Sequence, residues 1–281
     1  MTETDQRKAG IVGVFDRSAE SYDQVGVDFF TPIGRRLAEH AAVRPGERLL
    51  DLGCGRGAAL LPAARAVGPT GTATGIDLAP TMVRLTGAAA AAQGLSWVDV
   101  RVGDAEAPDL PDASVDLVLA SLVIFMLPDP VRALASYMRL LRPGGRLAFS
   151  TFSTYDERYE TALKVLRGYL PEDTPAPRIP EDSPFRDAES IGALLAGAGF
   201  TDVLHTEATF HSRFRDFAHW TDWTWSHGGR ATLEKIPEQR LPEALAATEA
   251  ALADGYQAGG GFTITTGVRF TRARLVSGAG H

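Results

Sequence analysis

The run Leu49-Leu50-Asp51-Leu52-Gly53-Cys54-Gly55-Arg56-Gly57 constrains this chain more than any other feature. An apolar strand runs into a turn with glycine at every second position, and a helix follows. Glycines are needed where a Cβ would block close approach of the backbone to a ligand lying across strand ends. From 47 to 152 the pattern keeps alternating. Strands at 48–51, 71–77, 97–102, 115–120 and 146–152 are separated by helical stretches at 57–67, 80–92 and 129–141. Such alternation implies a mainly parallel sheet with helices on both faces, and a ligand at the carboxyl ends of its strands. Gly53, Gly55 and Ala58 also satisfy the looser dinucleotide pattern G-x-G-x-x-A, so the glycines alone leave the ligand open.

Three acids narrow it. Asp51 stands two residues before the first glycine, where it would repel a pyrophosphate and suit a cationic amino group. Asp77 ends the second strand, about 20 residues beyond the turn, where a carboxylate can accept from both hydroxyls of a ribose. Asp104, in Gly103-Asp104-Ala105, ends the third strand and can accept from an adenine amino group, with the Ala105 N–H completing the base edge. Each has a plainer reading: Asp51 and Asp77 as helix caps, Asp104 as a turn residue. The three together make coincidence a poor explanation.

Around this core, residues 1–45 read as N-terminal helices covering the site, and 46–152 as the nucleotide-binding core. Residues 153–276 read as the rest of the sheet with a substrate-binding cap (about 153–186 and 210–258), and 277–281 as a flexible tail. The stretch 153–186, rich in Pro, Asp and Glu, is expected to be a surface insertion; 187–198 reads as a helix, Phe200–Thr209 and Phe262–Leu275 as strands. The net charge of −7 argues against a nucleic-acid partner, since phosphate binding needs clustered Lys and Arg. A single cysteine, Cys54, precludes an internal disulfide. With no signal segment and no apolar run of ~20 residues, the expectation is a cytoplasmic protein with no membrane partner.

At these residues the chain resembles the class I S-adenosylmethionine (SAM)-dependent methyltransferases, specifically the small-molecule branch that includes ubiquinone, menaquinone and bacterial natural-product enzymes. The resemblance spans about residues 12–152. It rests on Val14-Phe15-Asp16 with Ser21-Tyr22-Asp23, the 51–57 turn, Asp77, Gly103-Asp104-Ala105, Asp116-Leu117-Val118 and Leu140-Leu141-Arg142-Pro143-Gly144-Gly145, in order. It implies a Rossmann-like α/β fold: a mostly parallel seven-stranded sheet with an antiparallel edge, flanked by helices. It implies SAM as cofactor, with Gly53 and Gly55 cradling the methionine half and Asp51 near its amino group. Asp77 and Leu78 would meet the ribose, Gly103, Asp104 and Ala105 the adenine. Ser121, Leu122 and Phe125 would face the cofactor, and Tyr22 would close over it.

Methyl transfer from a sulfonium needs a nucleophile held ~3–3.5 Å from the methyl carbon in a dry site, and a base only if the nucleophile arrives protonated. The chain lacks the Asn/Asp-Pro-Pro-Tyr motif of amino-directed nucleic-acid enzymes, and nothing in it points to a metal site. Candidate histidines lie beyond 200: His205, His211, His219 and His227. If 217–227 is helical, Trp220, Trp223 and His227 share one face, which could form an aromatic wall for a substrate with His227 as base or hydrogen-bond partner. The plainer reading is a stripe packed on the sheet with His227 exposed. Tyr22 is a second catalytic candidate. The expected activity is methylation of O, N or C on a small molecule in bacterial specialised metabolism. A SAM-binding cyclase or rearranging enzyme is the alternative, and an NAD-dependent oxidoreductase ranks below both, since no Tyr-x-x-x-Lys pair follows the fourth strand. The sequence leaves open whether the N-terminal helices cover their own site or exchange between chains of a homo-oligomer.

Overall fold

A computed structural model describes residues 3–172, 174, 183–257 and 260–276. Seven strands form one sheet: β1 (Arg48–Leu52), β2 (Thr72–Asp77), β3 (Val98–Val102), β4 (Val115–Ser121), β5 (Leu141–Tyr155), β6 (Phe200–Phe214) and β7 (Phe262–Leu275). Their order is β3-β2-β1-β4-β5-β7-β6. The first five are parallel, and β7 runs antiparallel to both β5 and β6, so the antiparallel direction enters at the expected edge. The strand order reverses between β1 and β4, and the glycine turn leaves β1 beside that switch point.

The central strands are apolar because both their faces are covered. Leu49, Leu117, Leu119 and Ala148 point to one core, shared with α2 (Phe30–His40) and α3 (Leu60–Val67). Leu50, Leu52, Val118, Ala120, Leu147 and Phe149 point to the other, against α5 (Pro130–Leu140) and α7 (Ala188–Gly197). Helix α4 (Pro80–Ala92) packs on β2 and β3, and α1 (Glu3–Ser18) lies on α4.

The cap consists of α8 (Phe217–Trp225), the short α9 (Arg230–Leu233) and α10 (Leu241–Leu252), all between β6 and β7. Helix α6 (Glu157–Arg167) packs against α10. The expectation of a surface insertion from 153 is corrected here. Asp156 caps α6 by accepting from the Arg158 N–H, Glu157 and Glu160 occupy its first turn, and Lys164 and Arg167 its last, so charge and cap both favour a helix. Strands β5 and β6 also outrun their expected ends, reaching Tyr155 and Phe214. The expected tail 277–281 lies outside the described residues. Among those residues, no helix is long and apolar enough to cross a membrane.

Candidate active site

The turn after β1 is built on three left-handed glycines, Gly53, Gly55 and Gly57. A Cβ on Gly53 would lie 2.6 Å from Val123 Cγ2, and one on Gly57 would lie 2.8 Å from Leu61 Cγ. Those two let the turn pack. Gly55 is different, because a Cβ there would meet nothing within 4 Å: its open side faces empty space. The turn is fixed from outside. Cys54 N–H donates to Ile76 O (2.9 Å), Gly55 N–H to Asp77 Oδ2 (2.9 Å), and Thr86 Oγ1 to Gly55 O (2.6 Å).

Asp51 is 1 % exposed, and neither of its carboxylate oxygens has a hydrogen-bond partner. Burial, and then the neighbouring charge of Asp77, push its pKa up to about 8. The Leu60 N–H at the start of α3 pulls the other way, though the helix has no hydrogen-bonded side-chain cap. Asp77 accepts from Gly55 N–H on one oxygen and from Ala79 N–H on the other (2.9 Å each), and each oxygen keeps a second lone pair. Burial raises its pKa while those two N–H groups pull it down. Leu78, beside it, is half-buried. Gly103 N–H donates to Asp77 O, and Asp104 accepts from Glu106 N–H. Asp104 also meets the Lys8 ammonium of α1 at 2.7 Å, and the same ammonium reaches buried Glu106 at 3.1 Å. Ala105 is buried, its carbonyl accepting from the Tyr137 hydroxyl. Past β4, Leu122 adopts a left-handed backbone, its N–H held by Ser150 Oγ (3.0 Å), with Ser121 Oγ 3.4 Å from the same oxygen.

The N-terminal segment is tied over this turn. Asp16 accepts from Thr81 N–H at the start of α4, and Arg56 donates to Ala19 O. Tyr22 stacks on Phe30 at 4.3 Å, and burial raises its pKa, so its phenol stays protonated.

From Tyr22 a set of rings runs outward. Phe30 lies 5.8 Å from His227, and His227 lies 4.2 Å from Trp223. Trp223, Phe29, Phe152, Tyr155 and Tyr159 close a circuit of ring contacts between 5.3 and 6.5 Å, joining the 22–30 segment, β5, α6 and α8. Phe125, after β4, joins it through Phe152 at 5.5 Å. Trp223 and His227 therefore meet as expected. Trp220 does not join them: it is fully buried and stacks on Phe217. His227 is buried, contrary to the plainer reading of an exposed residue, and burial drives its pKa down to about 3.

Residues 50–149 match the family described as a methyltransferase domain. Nocamycin O-methyltransferase of Saccharothrix syringae is 40% identical over 274 residues, covering 93% of this chain and 97% of that protein. This chain belongs to the class I SAM-dependent methyltransferases, and to their natural-product type. Aklanonic acid methyltransferase DauC of Streptomyces sp. (strain C5) is 47% identical over 144 residues, covering 51% of this methyltransferase and 66% of that protein. Two solved structures share the fold. One is the YcgJ protein of Bacillus subtilis (TM-score 0.58, 17% identity, 87% of this chain and 99% of that one). The other is the [4+2]-cyclase SpnF (TM-score 0.56, 23% identity, 88% and 82%).

Sequence reasoning for the methyltransferase missed Phe29, Phe30, Phe152 and Tyr159. Phe29 and Phe30 were visible as an aromatic pair on the N-terminal segment, whereas Tyr155 ends β5 and Tyr159 lies in α6, so no single periodicity pairs them. What joins these residues is tertiary. The other candidate histidines sit elsewhere: His205 and His211 lie on β6, bonded across the sheet to Thr271 and Thr265, and His219 is held inside the cap.

Proposed function

We propose that this enzyme binds SAM across the carboxyl ends of β1 to β4 and methylates an acid oxygen of a small molecule in bacterial specialised metabolism. The observation that carries the cofactor reading is Asp51, a buried carboxyl whose oxygens have no hydrogen-bond partner, close to the Asp77 that holds the open-faced Gly55. An isolated buried charge is costly, and an ammonium group would complete it. A pyrophosphate would worsen it, which counts against a dinucleotide. The residues fit SAM group by group. Asp51 takes the α-amino group and the Gly53–Gly55 turn the methionine half. The spare lone pairs of Asp77, beside Leu78, take the ribose. Gly103, Asp104 and Ala105 flank the adenine, and Ser121 and Phe125 border the methyl group. Bound there, SAM supplies an electrophilic methyl carbon on a sulfonium.

The protein's own part is to hold the acceptor and exclude water. Residues 46–152 hold the cofactor, the N-terminal helices close over it, and α6 with the cap supplies Trp223, Tyr159 and His227 as the acceptor wall. Trp220 supports Phe217 behind that wall. Two relatives carry acids in their names, aklanonic acid methyltransferase and trans-aconitate 2-methyltransferase of Azoarcus sp., and the nocamycin enzyme is named an O-methyltransferase. A carboxylate is already ionised at neutral pH and needs no base, which suits a chamber whose one histidine resists protonation.

The test incubates the purified enzyme with SAM and a panel of aromatic carboxylic acids, following S-adenosylhomocysteine release and ester mass. Stoichiometric S-adenosylhomocysteine and methyl ester are expected. Conversion of a substrate without S-adenosylhomocysteine would overturn methyl transfer in favour of the cyclase chemistry that this fold also carries. Failure to bind SAM at all would remove the cofactor reading.

A further inference from the structure

A neutral imidazole has one N–H donor and one bare nitrogen, and a backbone N–H pointing at one nitrogen settles which is which. The enzyme makes this arrangement twice. At His219 the Arg215 N–H points at Nδ1 (3.3 Å), so Nε2 bears the proton, and it donates to Val25 O at 2.7 Å. His219 is fully satisfied and ties α8 to the N-terminal segment. At His227 the Gly229 N–H points at Nδ1 (3.1 Å), so here too Nε2 bears the proton. That Nε2 is completely buried and has no acceptor. The rings in contact with it are Phe30 and Trp223, which offer no oxygen. Two histidines of the same tautomer thus differ in one respect: His219 has used its donor and His227 has not. A buried unused donor is expensive for a fold to keep, and it stands among the rings proposed as the acceptor wall.

We infer that the Nε2–H of His227 is the hydrogen-bond donor that seats an oxygen of the acceptor's carboxylate, and that His227 is not a general base. The inference rests on the acceptor reading above. For His227 to serve as a base, the incoming proton would need Nε2 bare and thus Nδ1 protonated against the Gly229 N–H, or would have to reach Nδ1 itself, which that N–H blocks. Burial alone, with no nearby charge contributing, also keeps the imidazolium out of reach at working pH. One carboxylate oxygen accepts from Nε2–H. The other forms the new O–CH3 bond as the methyl–sulfur bond breaks, and no proton moves.

The experiment compares wild type, His227→Gln and His227→Leu with 2-naphthoate, or with the best acid of the panel if naphthoate is not methylated. Glutamine places an N–H near the Nε2 position and cannot act as a base; leucine supplies neither. At saturating SAM, His227→Leu should lose roughly 10- to 100-fold in kcat/KM, mostly through KM, and His227→Gln should recover most of it. The SAM-induced thermal shift should be the same in all three, which reports intact folding. Equal loss in both variants, carried by kcat, would make His227 a base. Wild-type kcat/KM in His227→Leu would leave it without a role in seating the acceptor. Nitrogen-15 NMR of the histidines gives a readout independent of turnover: His227 should show the Nε2–H form and not titrate between pH 8 and 5. A titration in that range, or an Nδ1–H form, overturns the inference. An enzyme that methylates no acid at all would sink the acceptor reading while leaving the tautomer result standing.

Discussion

A protonated Asp51 should make cofactor binding release a proton. In the ligand-free enzyme its pKa is about 8, against 3.8 for a free carboxyl, because burial and the charge of Asp77 outweigh the pull of the Leu60 N–H. Between pH 5.5 and 7 it is therefore mostly neutral. An α-amino group is cationic throughout that window. Docking it against Asp51 stabilises the carboxylate and expels the proton. One proton released per binding event changes Kd about tenfold per pH unit, or about 1.4 kcal/mol, so affinity should rise roughly 30-fold from pH 5.5 to 7. Titration calorimetry with S-adenosylhomocysteine, in buffers of different ionisation enthalpy, measures both the affinity and the proton count. About one proton should leave at pH 6. Asp51→Asn should release none, show a flat Kd over the window, and bind more weakly than wild type at pH 7. An analogue lacking the α-amino group should lose the pH dependence in wild type. A Kd constant within about threefold, with no proton release, would refute the placement of Asp51 against that amino group.

The same carboxyl sets how ligand-free stability varies with pH. Its folded pKa lies above its unfolded one, so its contribution is lost as pH rises from 3.8 through about 8. His227, depressed to about 3, acts in the opposite sense, since stability is lost as pH falls from 6.5. The two offset each other below pH 6.5, and above it Asp51 acts alone, so Tm should fall by several degrees between pH 6.5 and 8 and flatten in Asp51→Asn, as differential scanning calorimetry would show. Gly55→Ala and Gly53→Ala should separate binding from folding. The first adds a Cβ to open space and should weaken SAM binding at least tenfold with a backbone penalty of about 1 kcal/mol; the second drives a Cβ into Val123 and should cost clearly more stability by chemical denaturation. Lys8→Ala removes the ammonium that joins α1 to Asp104 and Glu106, and should speed S-adenosylhomocysteine release several-fold in stopped-flow displacement while costing about 1 kcal/mol.

The sheet and its turn were legible in the sequence because both depend on local rules. Leu117–Ala120 must be apolar to be buried on two faces, and the 53–57 glycines must be small to turn left-handed and pack. The acids were legible by position, but their bonding was not. That Asp77 already spends one lone pair per oxygen, while the oxygens of Asp51 keep no geometric hydrogen bond, depends on where the Gly55, Ala79 and Leu60 N–H groups point. Helix α6 was hidden by the Pro- and Asp-rich residues after it, although Asp156 and the charge order within it announced a helix. Residues of the ring circuit were visible one pair at a time. The contacts of Phe29 with Phe152 and with Trp223 join segments more than 100 residues apart, a distance over which periodicity carries no information.

Strands β6 and β7 end on each other. Phe214 and Phe262 are cross-strand partners whose rings stack at 5.2 Å, and the chain between them leaves and returns at that point. The cap is in effect a very long hairpin loop whose ends are already closed by the sheet. Lengthening such a loop costs entropy only as the logarithm of its length, and no strand need shift to accommodate the change. A lineage can therefore rewrite α8 to α10 while the glycine turn stays untouched. The part of the ring set that lies in this loop, Trp223 and His227, can change separately from the donor turn, while Phe29, Phe30, Phe152 and Tyr159 stay with the body of the fold.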